Sequence, residues 1–191
     1  IGLEEPYRWE DSVQSEAEVR IWVAEGTANN MRPWFVKFSG TIYDRRWLDI
    51  VEKIYDWHYR HERYLRNIAS LARVAVVYSE QTDRYYGGQT WQEQSSGHGL
   101  GMYHALIEAR IPFEMVNDRL LDAEHINQFK LLILPNIAAL SNAQCEQLRQ
   151  YVRQGGSLVA TFETSLYDEQ AKQRKDFGLA DLLGVSFDGQ V

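Results

Sequence analysis

LLILPNIAALSNAQCEQLRQYVRQGGSLVATFE, residues Leu131 to Glu163, is the stretch that decides the fold. Its opening run, Lys130 to Leu134, is almost continuously apolar, as expected of a strand covered on both faces. Ser141 and Gln144 then stand at capping-box spacing, so a helix starts there. Gly155-Gly156 stops that helix, because glycine adopts the left-handed conformation a helix end requires. Ser157 to Phe162 forms a second buried strand. The turn after it, Thr161-Phe162-Glu163-Thr164, holds no cysteine and no serine flanked by glycines, the residues that a nucleophilic strand-end turn would need.

Working outward, the same alternation continues on both sides. RVAVVYS (73–79) reads as another strand buried on both faces. A long polar loop follows, then a helix near Gly99 to Ala109, a strand at Pro112 to Val116 and a short helical segment at Asp122 to Gln128. A last helical turn spans Gly178 to Leu183. Alternating strands and helices predict an α/β, flavodoxin-like, doubly wound parallel sheet. Right-handed crossovers would bring the loops after Ser79, Asn117, Leu134 and Phe162 to one edge, where such sheets bind ligands.

Residues 1 to 67 follow a different pattern. Ser15 to Ala28 reads as a moderately amphipathic helix carrying Val19, Ile21, Trp22 and Val23. MRPWFVKFS (31–39) reads as a strand with Trp34, Val36 and Phe38 on one face and Pro33 near its start. Asp44 is placed to cap a helix running to about Asn67, in which Trp47, Leu48, Val51, Ile54, Tyr55 and His58 recur at helical spacing. One strand cannot make a sheet, so this half must lean on something else.

Composition narrows the function classes. A net charge of −7 without a Lys/Arg run argues against a nucleic-acid footprint. A single cysteine excludes an internal disulfide and a cysteine-based metal site. No run of eighteen apolar residues is present, so no membrane-spanning helix is expected. The chain starts at Ile1 without a signal-peptide pattern, which reads as a piece of something longer. Five of its six tryptophans precede residue 60. Aromatic rings of this density suit stacking on sugar faces, and they suit a packed core at least as well.

The loop Glu80 to Ser96 is too long and aromatic for a plain connector, so a binding or subunit-contact role is expected. Gly97, Gly99 and Gly101 lack the strand-adjacent spacing of a dinucleotide fingerprint and fit a mobile or tightly packed helix entry better. His58, His61 and Glu62 miss the zinc-protease spacing and read as a surface helix, so no metal is expected; Cys145, in line with Leu148 and Val152, reads as a buried hydrophobe. The carboxylates remain, since glycoside hydrolysis needs two of them across the scissile bond. Glu4 and Glu5 lie in an aromatic segment, GLEEPYRW, while Glu163 and Asp168 fall on the ligand edge of the sheet. Each of these acids singly also fits a solvated surface position.

RVAVVYS, ALIEARIPFEMV, the run from FKLLILP to SLYDE, and DFGLADLLGVSF together resemble the trimerisation domain of family 42 glycoside hydrolases, the β-galactosidases. The resemblance covers residues 72 to 187 and implies a class I glutamine-amidotransferase-like fold lacking the nucleophile of that class. No Cys-His-Glu triad carries over. Residues 15 to 67 look like the end of the preceding (β/α)₈ barrel, with Met31 to Ser39 as its last strand and Asp44 to Asn67 as its last helix. The resemblance therefore implies a barrel remnant at 1–68 and a trimerisation domain at 69–191, the latter cut short at its C-terminus.

On this reading Lys37, Phe38 and Ser39 lie at the C-terminal end of a barrel strand, where barrel active sites form. The catalytic candidates are Glu4 and Glu5; the sugar-contact candidates are Trp9, Lys37, Phe38, Tyr85 and Glu163. The expectation is a fragment, inactive alone, of a parent that hydrolyses O-glycosidic bonds in the cytoplasm. Its partners would be further copies of itself, as a trimer, and the parent's carbohydrate substrate; no cofactor, nucleic acid or membrane is expected. The rivals are a non-catalytic amidotransferase-like binding or assembly module and an independent enzyme holding a nucleotide or flavin on the sheet edge.

Overall fold

The computed structural model describes residues 14–29, 31–36, 45–66 and 69–189. The chain divides between Ala69 and Ser70 into two compact units.

In the first unit, helix α1 spans Glu16–Ala28 and helix α2 spans Arg46–His61, followed by a 3₁₀ turn at Glu62–Tyr64. Ser15 caps α1 by accepting the Glu18 amide at 3.3 Å. No side chain caps α2, and the expected cap Asp44 lies outside the described residues. Among the described residues only Thr27 and Ile54 of this unit are buried, while Ile21, Trp22 and Trp57 are exposed. Residues 31–36, expected to open a strand, pair with no strand among the described residues; the rest of that segment lies outside them. Extended backbone needs a neighbour to become a ladder. This stretch instead leans on α2, with the Tyr55 hydroxyl donating to the Pro33 carbonyl and Phe35 edge-on to the Tyr55 ring.

The second unit is a parallel four-stranded sheet of β1 (Val74–Tyr78), β2 (Phe113–Asn117), β3 (Leu131–Pro135) and β4 (Ser157–Thr161). Their order across the sheet is β2-β1-β3-β4. In register, Val76 stands beside Met115 on one side and Ile133 on the other, and Ile133 beside Val159. β1 and β3 are central and buried, and the outer strands are more exposed, which is why the central sequences are unbroken apolar runs.

Side-chain alternation sorts these strands between two helical layers. Ala75, Val77, Leu132 and Leu134 pack with Cys145 and Leu148 of α5 (Asn142–Arg153). That layer also holds the short helices α4 (Ala123–Ile126) and α6 (Ala180–Leu183). Val76 and Ile133 point the other way, against Leu106 and Met102 of α3 (Gly97–Glu108). The sheet is thus covered from both sides, as the alternation of elements predicts.

The ends of α5 follow their sequence signals. The Ser141/Gln144 capping box is formed in both directions. At the other end Gly155 has φ +96°, and the Gly155 and Gly156 amides return to the Val152 and Tyr151 carbonyls. This is a Schellman closure. The segment Glu80 to Ser96, expected as a loop, is helical instead. π-helical turns at Thr82–Gly87 and Gln92–Ser96 flank a 3₁₀ turn and run into α3. A polar, aromatic sequence without helical periodicity conceals such wide turns, which side-chain anchors hold in place.

Candidate functional site

The strand order reverses between β1 and β3: the chain leaves β1 toward β2 and returns on the far side to β3. Loops leaving the two strands diverge there and open a crevice. A cavity of about 310 Å³ occupies it. Its floor includes the buried Val77, Ser79, Thr82 and Asn136, and its walls include the half-exposed Tyr78 and Tyr103.

Polar contacts tie the strand exits together. The Ser79 hydroxyl donates to the Asp118 carboxylate, which follows β2, and accepts the Thr82 amide at 3.0 Å. The Thr82 hydroxyl accepts the Ala139 amide, and the Gln81 side chain donates to the Ala139 carbonyl and to Gln144. Gln144 in turn donates to the Asp118 carbonyl. The first turn after β1 is therefore clamped to the β3 exit and to the start of α5. Burial pushes the Asp118 carboxyl up from the usual carboxylate range, against the opposing pull of the Ser79 hydroxyl.

A second cluster lies at the end of β4. Glu163, only 7% exposed, accepts the Tyr86 hydroxyl, and the Tyr167 hydroxyl stands 3.5 Å from its other oxygen. The two rings pack at 5.1 Å. Burial, and then the neighbouring Glu163 carboxylate, holds both phenols above their ordinary range. Tyr86 also bonds the side chain of Asn136. Three residues here have left-handed backbone: Asn136 (φ 51°), Phe162 (φ 54°) and Ser165 (φ 69°). Asparagine tolerates that region, but a phenylalanine costs about 1–2 kcal/mol there. Such sharp strand exits are where hydrolases of related architecture present a nucleophile. Here the turn presents a phenyl ring, stacked on His98 at 5.4 Å.

Residues 72–188, more than half of the chain, fit the family described as the β-galactosidase trimerisation domain. The chain belongs to that family. Its fold is similar to those of solved β-galactosidases. The Bifidobacterium adolescentis enzyme is 21% identical over 61% of this chain and 56% of its own, with a TM-score of 0.54. The Bacillus circulans sp. alkalophilus enzyme is 18% identical over 85% of this chain and 27% of its own, with a TM-score of 0.68. The Halorubrum lacusprofundi enzyme is 19% identical over 91% of this chain and 28% of its own, with a TM-score of 0.61. The chain thus spans little more than half of the first and about a quarter of the others. No curated protein matches it in sequence.

Within this frame the sequence candidates scatter. Glu4, Glu5, Trp9, Lys37, Phe38 and Ser39 lie outside the described residues. Tyr85 is exposed, with the Arg84 guanidinium over its ring. Glu163 points inward to Tyr86 rather than outward from the sheet edge. Asp168 accepts the Gln170 and Lys172 amides, which hold its carboxyl below the usual range. His61 engages the Trp57 carbonyl and ring, and Glu62 pairs with Arg66. Cys145 is buried in the core, its thiol pushed up by that burial. Sequence reading missed the Ser79–Asp118 pair and the Tyr86–Glu163–Tyr167 cluster. Their partners are separated by 39 and 77 positions, so no local spacing pattern announces them.

Proposed function

We propose that this chain is the C-terminal part of a glycoside hydrolase of the β-galactosidase type. Its second unit would supply contacts between copies, and its first unit would be the end of the catalytic barrel. The observation that carries this reading is the match of residues 72–188 to the trimerisation domain. The similarity in fold to several β-galactosidases, each spanning more than this chain, supports it.

The parent would hydrolyse terminal O-glycosidic bonds, and this segment alone would be inactive. Glu4 and Glu5 stay the catalytic candidates, and Trp9, Lys37, Phe38, Tyr85 and Glu163 the sugar-contact candidates. A panel of nitrophenyl glycosides offered to the full-length parent tests the activity. Turnover of a galactoside by the parent and not by the 191-residue chain is the expected result, and a parent inert to every glycoside would refute it. Sedimentation of the 191-residue chain tests assembly. A species that remains monomeric at high concentration would count against the contact role.

A second reading is a non-catalytic amidotransferase-like assembly or binding module. It is favoured by the phenyl side chain at the sharp exit of β4. A parent without hydrolase activity that still self-associates would select it.

A further inference from the structure

We propose that the outer face of α3, continued by Met115 at the edge of the sheet, is where the second unit docks against another copy of this chain. The proposal rests on the reading of this unit as the supplier of contacts between copies, and it names the face.

Three observations converge on it. The first is an apolar stripe turned to solvent. α3 packs on the sheet through Met102 and Leu106, against Val76 and Ile133. Leu100, Tyr103 and Ile107 recur at helical spacing outside that inner face, and Leu100 and Ile107 are 57% and 53% exposed. Met115 lies on the edge strand β2 and lines one groove with Leu100 and Tyr103, so the stripe runs on from helix to sheet edge. The Tyr103 ring is held edge-on by Phe113 at 5.3 Å, which sets this aromatic anchor before any partner arrives. A helix apolar on both its inner and its outer side has the pattern of one covered on both.

The second is a glycine for which the chain itself gives no reason. Gly101 is exposed in the middle of α3, and a Cβ there would meet nothing within 4 Å. Glycine inside a helix weakens it relative to alanine. Gly97 differs, because a Cβ there would stand 3.1 Å from the Gln92 carbonyl. A neighbouring backbone laid over Gly101 supplies the missing reason, since the absent side chain lets two backbones close in.

The third is charge. Each copy carries a net charge of −7, so copies repel wherever their carboxylates face one another. In its twelve residues α3 holds one carboxylate, Glu108 in the last turn, and no lysine or arginine. α5, of the same length, holds Glu146, Arg149 and Arg153. A charge-poor centre with an aromatic anchor is the composition of a protein interface, and the exposed Glu108 and Arg110 put opposite charges at its rim. A second copy is the occupant that fits, because α3 lies wholly inside the segment that matches the trimerisation family.

Sedimentation velocity of the full 191-residue chain over a concentration series reads the contact, with thermal unfolding of dilute samples as the check on folding. Gly101→Leu and Ile107→Glu should each weaken self-association at least about a hundredfold, the scale of a central interface position. Gly101→Leu should also leave the unfolding midpoint of the dilute chain equal to the wild type's or higher, because leucine is the better helix former and meets no neighbour there. Val159→Glu, at an exposed position of β4, should leave association unchanged.

Self-association that survives either α3 variant, or that falls equally in Val159→Glu, would overturn the proposal and leave the contact role to another face. So would a lowered midpoint in Gly101→Leu, which would put the reason for the glycine inside the fold. A wild-type chain that stays monomeric would overturn the contact role and this proposal together.

Discussion

Glycine 156 shows how one missing methyl group sets a helix-to-strand turn. An added Cβ would stand 2.2 Å from Cζ of Tyr151, a buried ring whose hydroxyl donates to the Phe129 carbonyl. The ring cannot swing aside, so Gly156→Ala is expected to cost about 1–3 kcal/mol by overpacking, read as a lowered urea midpoint at unchanged slope. Tyr86→Phe tests the other polar cluster. It removes the hydroxyl that closes on the buried Glu163 carboxylate, and roughly 2 kcal/mol of stability should go with it. Asp118 gives a pH signature. Its folded-state pKa lies above the ordinary 3.8, so the native state holds its proton more tightly than the unfolded chain does. Its contribution to stability is therefore greatest below 3.8, falls as pH rises through the raised native value, and is flat beyond it. Asp118→Asn keeps an acceptor for Ser79 and removes the ionisation. That part of the pH dependence of the urea midpoint should vanish in the variant, and its persistence would assign it to another group.

At the scale of elements, α5 is the piece that connects core to site. Its Cys145, Leu148 and Tyr151 stripe fills the larger core, while its first turn joins the hydrogen bonds at the strand exits. Ser141→Ala should cost about 1 kcal/mol, the ordinary worth of a lost cap. Gln144→Ala should cost more, because Gln144 closes the capping box and also bonds Gln81 and the Asp118 carbonyl. Equal losses in thermal unfolding would show that the link to Gln81 and Asp118 contributes nothing. α5 was fully legible in sequence, since cap, stripe and Gly-Gly stop are all local signals. The segment from Thr82 to Ser96 was not. Its turns are held by distant partners, Ala139 to Thr82 and Glu163 to Tyr86, rather than by an apolar stripe of their own.

Across the whole molecule the two units differ in what they bury. The second has two apolar clusters around a sheet; the first, among its described residues, buries only Thr27 and Ile54 and exposes several aromatics. A helical pair with so little core opens readily. Amides of α1 and α2 are expected to exchange with solvent at least about a hundredfold faster than those of β1 and β3. Comparable protection in both units would contradict this. A longer parent supplying the missing cover should slow the exchange in α1 and α2, as the barrel-end reading requires.

The sequence by itself determined the α/β class, the four parallel strands of the second unit, the cap and stop of α5 and the buried role of Cys145. Those features rest on short-range periodicity and on the few residues able to end a helix. Tertiary structure alone decided the strand order, the reversal between β1 and β3, and the cavity that opens there. It alone also turned Glu163 from an edge acid into the buried partner of Tyr86. Each of these depends on which distant segments come together, and that is set by the packing of whole faces rather than by any local run of residues.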